Sequence, residues 1–458
     1  MDTVINIIQL VLFVLTAFLY LTGLGWLVIG PILHGNLTHS NADTSLLQEI
    51  PLVILAGLIL NYGLGLLVQS LRTSLLIGAI LSFCGSIAFF KYIHSRRLHW
   101  PPHNTTISKL IGITVTSLVI LVPILVEPLS EWDARSFWFF HAKMIYNAGS
   151  TGLAAGWLNP AVSWSHLDYP KLVPVLAGQI TFVFGLWNEY LPKLALFFIL
   201  VPGITWLFTF AKKSLGFLAL IALIPFNFYP WIWNGYMDGL LAFFFSISLL
   251  LLGRYLSSSK PIDLVSCIAC AVMLLYLKNE GALAAIALVL AIVVAILLSR
   301  KQVNLKAFLD SHWRYILGMG ILLVPFFVWA YYKQRWNITN DLQLGTSDSV
   351  SRIISRLGDG SLRQVLKSEY QQIMYQLMIL ALFLLASFSW KIKPAREGLP
   401  ALVAAGIYLL GMTIIYLLTP QDLTWHLWTT IDRTMLTVNG GIIVGWYFLL
   451  TKMGDYPL

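Results

Sequence analysis

About thirteen stretches of roughly twenty apolar residues recur along this chain, and no other feature narrows its possible folds as far. Each is long enough to cross a hydrocarbon core of ~30 Å as a helix. Backbone amides in hydrocarbon must be satisfied inside the protein, which leaves helices or a closed barrel. Barrel strands would show about ten residues of alternation. These stretches are continuous, so helix is expected. Composition agrees, with 58% hydrophobic and 11% charged residues against about 25% charged in an ordinary soluble domain. The expected fold class is an all-α polytopic membrane protein with about thirteen transmembrane helices and one juxtamembrane or re-entrant helix.

Spans are expected at 5–30, 49–69, 73–93, 108–126, 191–210, 214–232, 237–254, 262–277, 281–299, 314–332, 372–390, 399–418 and 436–451. The stretch 171–187 is set apart by charge. If it does not span, the basic connections at Lys91 to Lys109, Lys212 and Lys213, Arg254 and Lys260, Arg300 to Lys306, and Lys391 to Arg396 all fall on the cytoplasmic side. If it spans, every later connection breaks that rule. One departure persists. The 333–371 connection falls outside yet carries six basic residues against four acidic ones, a pattern that suits either a phosphate-gripping loop or a wrong assignment.

The net charge of +9 could suggest nucleic acid, but these Lys and Arg residues sit in short connections where membrane orientation accounts for them. Nucleic acid is therefore not an expected partner; the lipid bilayer is. Cys84, Cys267 and Cys270 lie inside apolar stretches and read as small packing residues rather than redox or zinc ligands. The first thirty residues lack a basic n-region and a cleavage site, and read as a retained helix.

Acidic residues gather on the expected outer side, where carboxylates near hydrocarbon are costly. Glu131 and Asp133, in EWDARSFWFFHAKMIY, follow the block ending near Val126. They could take a proton from a hydroxyl or hold a divalent cation. Equally, they could be solvated acids on an interfacial helix anchored by Trp132, Trp138 and Tyr146. Asp168, Tyr169, Pro170 and Lys171 form a turn that a simple helix start would also explain. Asp238, in NGYMDG, could be no more than a favourable charge at a helix N-terminus. Lys278 and Glu280, in LKNEG, sit in a tight helical hairpin. Asp422, His426, Asp432 and Arg433 lie at the outer start of the last helix, where Arg433 could grip a carboxylate or a phosphate. His426 has no HExxH or similar ligand spacing around it.

WDARSFWFFHAKMIY, DYPKLVPVLAG, GLWNEYLPKLALF, NGYMDGLLAFF, LKNEG and WHLWTTIDRTM, in that order, resemble the GT-C glycosyltransferase superfamily. The likeness is to the bacterial membrane proteins grouped with dolichyl-phosphate-mannose protein mannosyltransferases and aminoarabinose transferases. It runs from about residue 108 to the end. It implies N-terminal extra helices over 1–107, a GT-C-like module over 108–310 with its first external loop at 127–170, and C-terminal helices over 311–458 with an external loop at 333–371. The chain departs in its three additional N-terminal helices and in Tyr169-Pro170, where the mannosyltransferases carry a His-Pro-Pro run.

The resemblance implies an inverting transfer of a sugar from a polyprenyl-phosphate-linked donor to a glycan, lipid or protein acceptor on the periplasmic face of a bacterial inner membrane. Asp133 would be the general base. Glu131 would support it or join it in holding a divalent cation such as Mg or Mn. Arg135, His141, Lys143, Asp168, Tyr169, Lys171, Asp238, Lys278, Glu280, His426 and Arg433 would bind substrate, with Lys143, Lys171 and Arg433 neutralising the departing phosphate. Two other classes remain open. An O-antigen ligase or polymerase would lean on external bases such as Arg352, Arg356 and Arg363. A secondary transporter would place acids at mid-membrane and show repeated halves, and neither sign is present.

Overall fold

The computed structural model describes residues 7–34, 46–95, 103–210, 229–298, 305–340, 347–389 and 396–453. Among them the chain is helical, with one isolated bridge between Ser70 and Ser150 as its nearest approach to a strand. The helices are α1 (Ile7–His34), α2 (Leu46–Val68), α3 (Leu71–Ser95), α4 (His103–Val126), α5 (Phe139–Ala148), α6 (Leu172–Phe184), α7 (Leu194–Thr209) and α8 (Asp238–Ser258). They continue with α9 (Pro261–Leu274), α10 (Glu280–Leu298), α11 (Leu305–Arg335), α12 (Ser347–Gly358), α13 (Ser361–Ser389), α14 (Leu399–Leu418) and α15 (Leu423–Met453).

Ten of the described helices are long and apolar enough to cross a membrane, and the chain is a multi-pass membrane protein. The other three expected spans have separate fates. Residues 214–228 of the 214–232 span lie outside the described residues, as do Lys212, Lys213, Arg300, Lys301 and Lys391. The span expected at 262–277 is the 14-residue α9, buried among α8, α2 and α11. The one expected at 372–390 is the end of α13, which opens with the polar run SLRQVLKSEYQQ and turns apolar from Ile373. The doubtful stretch at 171–187 folds as α6, 13 residues. At 1.5 Å per residue it reaches about 20 Å, too short to cross ~30 Å of hydrocarbon.

Two expected loops are largely helix. The stretch between the spans expected at 399–418 and 436–451 is mostly the first part of α15, which docks on α8 and α14. The 333–371 connection holds the end of α11, all of α12 and the start of α13. Its surplus of basic residues has a structural explanation. The last carbonyls of a helix lack intrahelical partners and favour cations. On α12, Arg352 Nε donates to Leu418 O (2.9 Å), while Arg356 donates to Tyr416 O (3.1 Å), Thr419 O (2.8 Å) and Gln421 O (3.1 Å). Both arginines thus cap the C-terminus of α14.

The N-terminal helices are laced to the rest by polar bonds. Tyr20 Oη of α1 donates to Asn61 Oδ1 of α2 (2.8 Å), and Asn61 Nδ2 donates to Gln179 Oε1 of α6 (2.6 Å). At the end of α2, Thr151 donates its hydroxyl to Gly65 O (2.7 Å) and its amide to Gln69 O (2.8 Å). The α2–α3 turn is thereby fastened to the 127–170 segment.

Candidate functional site

The segment after α4 enters α5 through a π-helical turn, Ala134–Trp138. Such widened turns are rare and frequent at functional sites. Asp133 immediately precedes it. Trp138, read in the sequence as an interfacial anchor, is instead buried and stacks on Tyr169 (centroids 5.2 Å apart), which stacks in turn on His166 (5.0 Å). Trp132 does face outward, at 71% exposure.

Asp238 is brought to Asp133 by the turn before α8. Asn234 Oδ1 accepts from Tyr236 N (3.1 Å), and Gly235 adopts φ +99°, where a Cβ would come within 2.6 Å of Ala134 Cβ. Glycine therefore supplies both the left-handed backbone and the close approach. Lys278 and Glu280 arrive on the α9–α10 hairpin, whose tightness needs Gly281, since a Cβ there would overlap Leu274 O. Arg433 lies on α15, one turn beyond Thr429, whose carbonyl accepts from its Nη2 (3.1 Å).

These four elements produce one run of alternating charge. Arg433 Nη1 lies 2.5 Å from Asp133 Oδ2 and 3.8 Å from Asp238 Oδ2. Lys278 Nζ lies 2.9 Å from Asp238 Oδ1 and 3.0 Å from Glu280 Oε1. The Arg433 guanidinium also covers the Tyr236 ring at 4.5 Å, a favourable cation–π geometry. Burial works against the charge on Lys278, but Asp238 and Glu280 more than offset it and hold the ammonium well above the usual lysine range. Burial, then the charge of Glu280, pushes the Tyr169 phenol well above the usual tyrosine range. The Tyr236 phenol is raised by burial and then by Asp133. Glu280 Oε2 is buried without a hydrogen-bond partner among the described residues, so the run ends on an unpaired acceptor.

Five residues singled out in the sequence thus meet: Asp133, Asp238, Lys278, Glu280 and Arg433. The others are placed differently. Asp168 is buried, accepting from Asn279 Nδ2 (2.6 Å) and Asn340 Nδ2 (3.1 Å). It anchors the residue between Lys278 and Glu280 and adjoins the charged run through that contact. Tyr169 stands near the run through its stack. His426 is half-buried, packed edge-on to Tyr416 at 5.2 Å. Glu131 is half-buried, and its carbonyl accepts from Arg135 N (3.0 Å). Arg135 and Lys143 are exposed, and Lys143 lies over the Trp187 ring at 5.8 Å, outside the run.

Lys171 and His141, expected to meet substrate, form a separate buried cluster. Lys171 Nζ is 3.1 Å from His141 Nδ1, and His141 Nε2 is 3.0 Å from Ser165 Oγ. Ser165 sends its own proton to Val162 O (2.7 Å), so His141 donates from Nε2 and accepts at Nδ1. Burial, then the charge of Lys171, holds His141 well below the usual histidine range and thus neutral. Trp157 and Trp329 flank the ammonium at 5.0 and 5.1 Å. Enclosed in this way, Lys171 and His141 brace the loop that carries Tyr169.

Glu131 and Asp133 are two acids of the same segment, and of the two Asp133 is ion-paired among the described residues. The described residues contain no group of three His, Cys, Asp or Glu side chains able to hold a metal, and Asp133 already carries Arg433. Sequence reasoning overlooked Tyr236 and Asn279, although both stand inside quoted motifs, NGYMDG and LKNEG. An aromatic two residues before an acid, and an amide between a lysine and a glutamate, were the available signals. No family profile, curated protein or solved structure matches the chain.

Proposed function

We propose that the chain is a GT-C-type glycosyltransferase that moves a sugar from a polyprenyl-phosphate donor to an extracytoplasmic acceptor with inversion. One observation carries this reading: Asp133, Arg433, Asp238, Lys278 and Glu280 form a single run of ion pairs at one end of a membrane-spanning bundle. A donor with its tail in the bilayer presents its sugar phosphate at that depth. Asp133 takes the proton of an acceptor hydroxyl as its oxygen bonds to the anomeric carbon. The bond from that carbon to the phosphate oxygen breaks, and the phosphate leaves with the electron pair. Arg433 and Lys278 are the cations placed to offset its charge, while Glu280 and Tyr169 line the sugar side.

The test uses membranes holding the protein, radiolabelled polyprenyl-phosphate sugars as donors, and release of polyprenyl phosphate as the readout. Asp133→Asn should slow transfer about a hundred- to ten-thousandfold, the usual cost of removing a general base. Transfer at the unmodified rate would end the assignment.

A further inference from the structure

In the charged run, three carboxylates stand against two cations, and both cations are already engaged. Arg433 spends Nη1 on Asp133, leans toward Asp238 and gives Nη2 to Thr429 O. Lys278 bridges Asp238 and Glu280. A phosphate meeting this arrangement meets a net negative run whose two cations are both already paired with carboxylates, so its binding is strengthened when one ion pair opens. Which pair opens follows from burial. The Asp238 side chain is 4% exposed and also holds Lys278, so releasing it would strand a charge in a dry site. The Asp133 side chain is 15% exposed and stands beside the outward-facing Trp132, so on release it can take up water.

We propose that the phosphate of the lipid donor exchanges with Asp133 on Arg433, and that this exchange frees the base only when donor is present. The inference rests on the reading of Asp133 as general base. In the resting protein Arg433 Nη1 holds the Asp133 carboxylate. Donor arrival transfers the Nη1 bond to a phosphate oxygen, and a second guanidinium N–H can join it on another phosphate oxygen in the forked geometry guanidinium favours. Asp133 then has a lone pair available for the acceptor proton. No proton is lost or gained in the exchange, and the charge left on Arg433 is already in place for the departing phosphate. The pair therefore makes binding ordered, donor before acceptor, and keeps the base masked between turnovers.

The test measures binding of farnesyl phosphate to the full chain in nanodiscs, with farnesol as the tail-only control. Asp133→Asn should bind farnesyl phosphate about tenfold or more tightly than the unmodified chain, because the competing carboxylate is gone. Arg433→Gln should bind it about tenfold more weakly, and farnesol should bind all three alike. Equal or weaker binding by Asp133→Asn overturns the exchange. A second measurement uses the unmodified chain: carbodiimide coupling of Asp133, read by mass spectrometry, should rise when farnesyl phosphate is added. No rise, or protection, overturns it as well. If Asp133→Asn binds more tightly yet transfers sugar at the full rate, the exchange stands and the general-base assignment falls.

Discussion

Arg433 and Asp133 are 300 positions apart in the sequence and 2.5 Å apart in space. Their ion pair closes α15 against the segment that follows α4, with the Tyr236 ring beneath the guanidinium. The Asp133 end of the run therefore depends on the docking of α15. Stability and site geometry are coupled there, and the following variants separate them.

Lys278 is the most heavily committed cation, bonded to Asp238 and Glu280 while buried. Lys278→Met leaves two carboxylates facing each other out of water, and should cost on the order of 3–5 kcal/mol. Adding Asp238→Asn should return part of that loss by removing one stranded charge. Thermal unfolding in detergent reads both, and a Lys278→Met protein that melts with the unmodified chain would contradict the account.

Lys171 and Lys143 look equivalent in the sequence and are not. Lys171→Ala empties a box walled by Trp157 and Trp329 and should cost roughly 2–5 kcal/mol. Lys143→Ala, on an exposed face, should stay within about 0.5 kcal/mol. The reverse order in the same melting assay would show that Lys143 carries the load.

Arg356 serves the end of α14. Arg356→Gln removes charge-assisted bonds to Tyr416 O, Thr419 O and Gln421 O and should lower stability by about 1–3 kcal/mol, with the donor KM unchanged. An unchanged melting temperature with a raised donor KM would favour a ligase-type enzyme, which needs that arginine for phosphate.

Glu369 is buried, with the Thr413 hydroxyl 2.9 and 3.0 Å from its two oxygens, and burial pushes its carboxyl up to about 7. The Thr413 hydroxyl also reaches Leu409 O (3.0 Å), so a proton on Glu369 satisfies the contact better than its charge does. Between the ordinary glutamate range and about 7, the unfolded chain binds fewer protons than the folded one, so stability falls as pH rises through that interval. The loss should be on the order of 2 kcal/mol. Glu369→Gln should abolish this dependence; a parallel pH profile in the variant would refute it.

The carboxylates were legible in the sequence because acids at the ends of apolar blocks are costly, which drew notice to Asp133, Asp238 and Glu280. Lys278 and Arg433 were named too, but which carboxylate each one pairs with was not legible, since an ion pair across 300 positions leaves no local trace. The start of α15 was read as a connection because Thr, His, Asp and Arg in TWHLWTTIDR depress its hydropathy, and only docking shows why it is helical. Trp138 illustrates the same limit. An aromatic beside a span looks like a membrane anchor, and its stack on Tyr169 exists only in three dimensions. Lys171 read as a phosphate ligand because burial cannot be seen in a string of letters.

The lacing of α1 and α2 to α6 and to Thr151 bears on what a shortened version of this chain could do. Removing residues 1–102 would strip Gln179 of its Asn61 partner and Thr151 of Gly65 and Gln69. The N-terminal quarter is therefore part of the foundation of the 127–170 segment, and the two regions should melt in one cooperative transition. A shortened protein cut from the C-terminal three quarters would need new polar partners at those positions before it could stand alone.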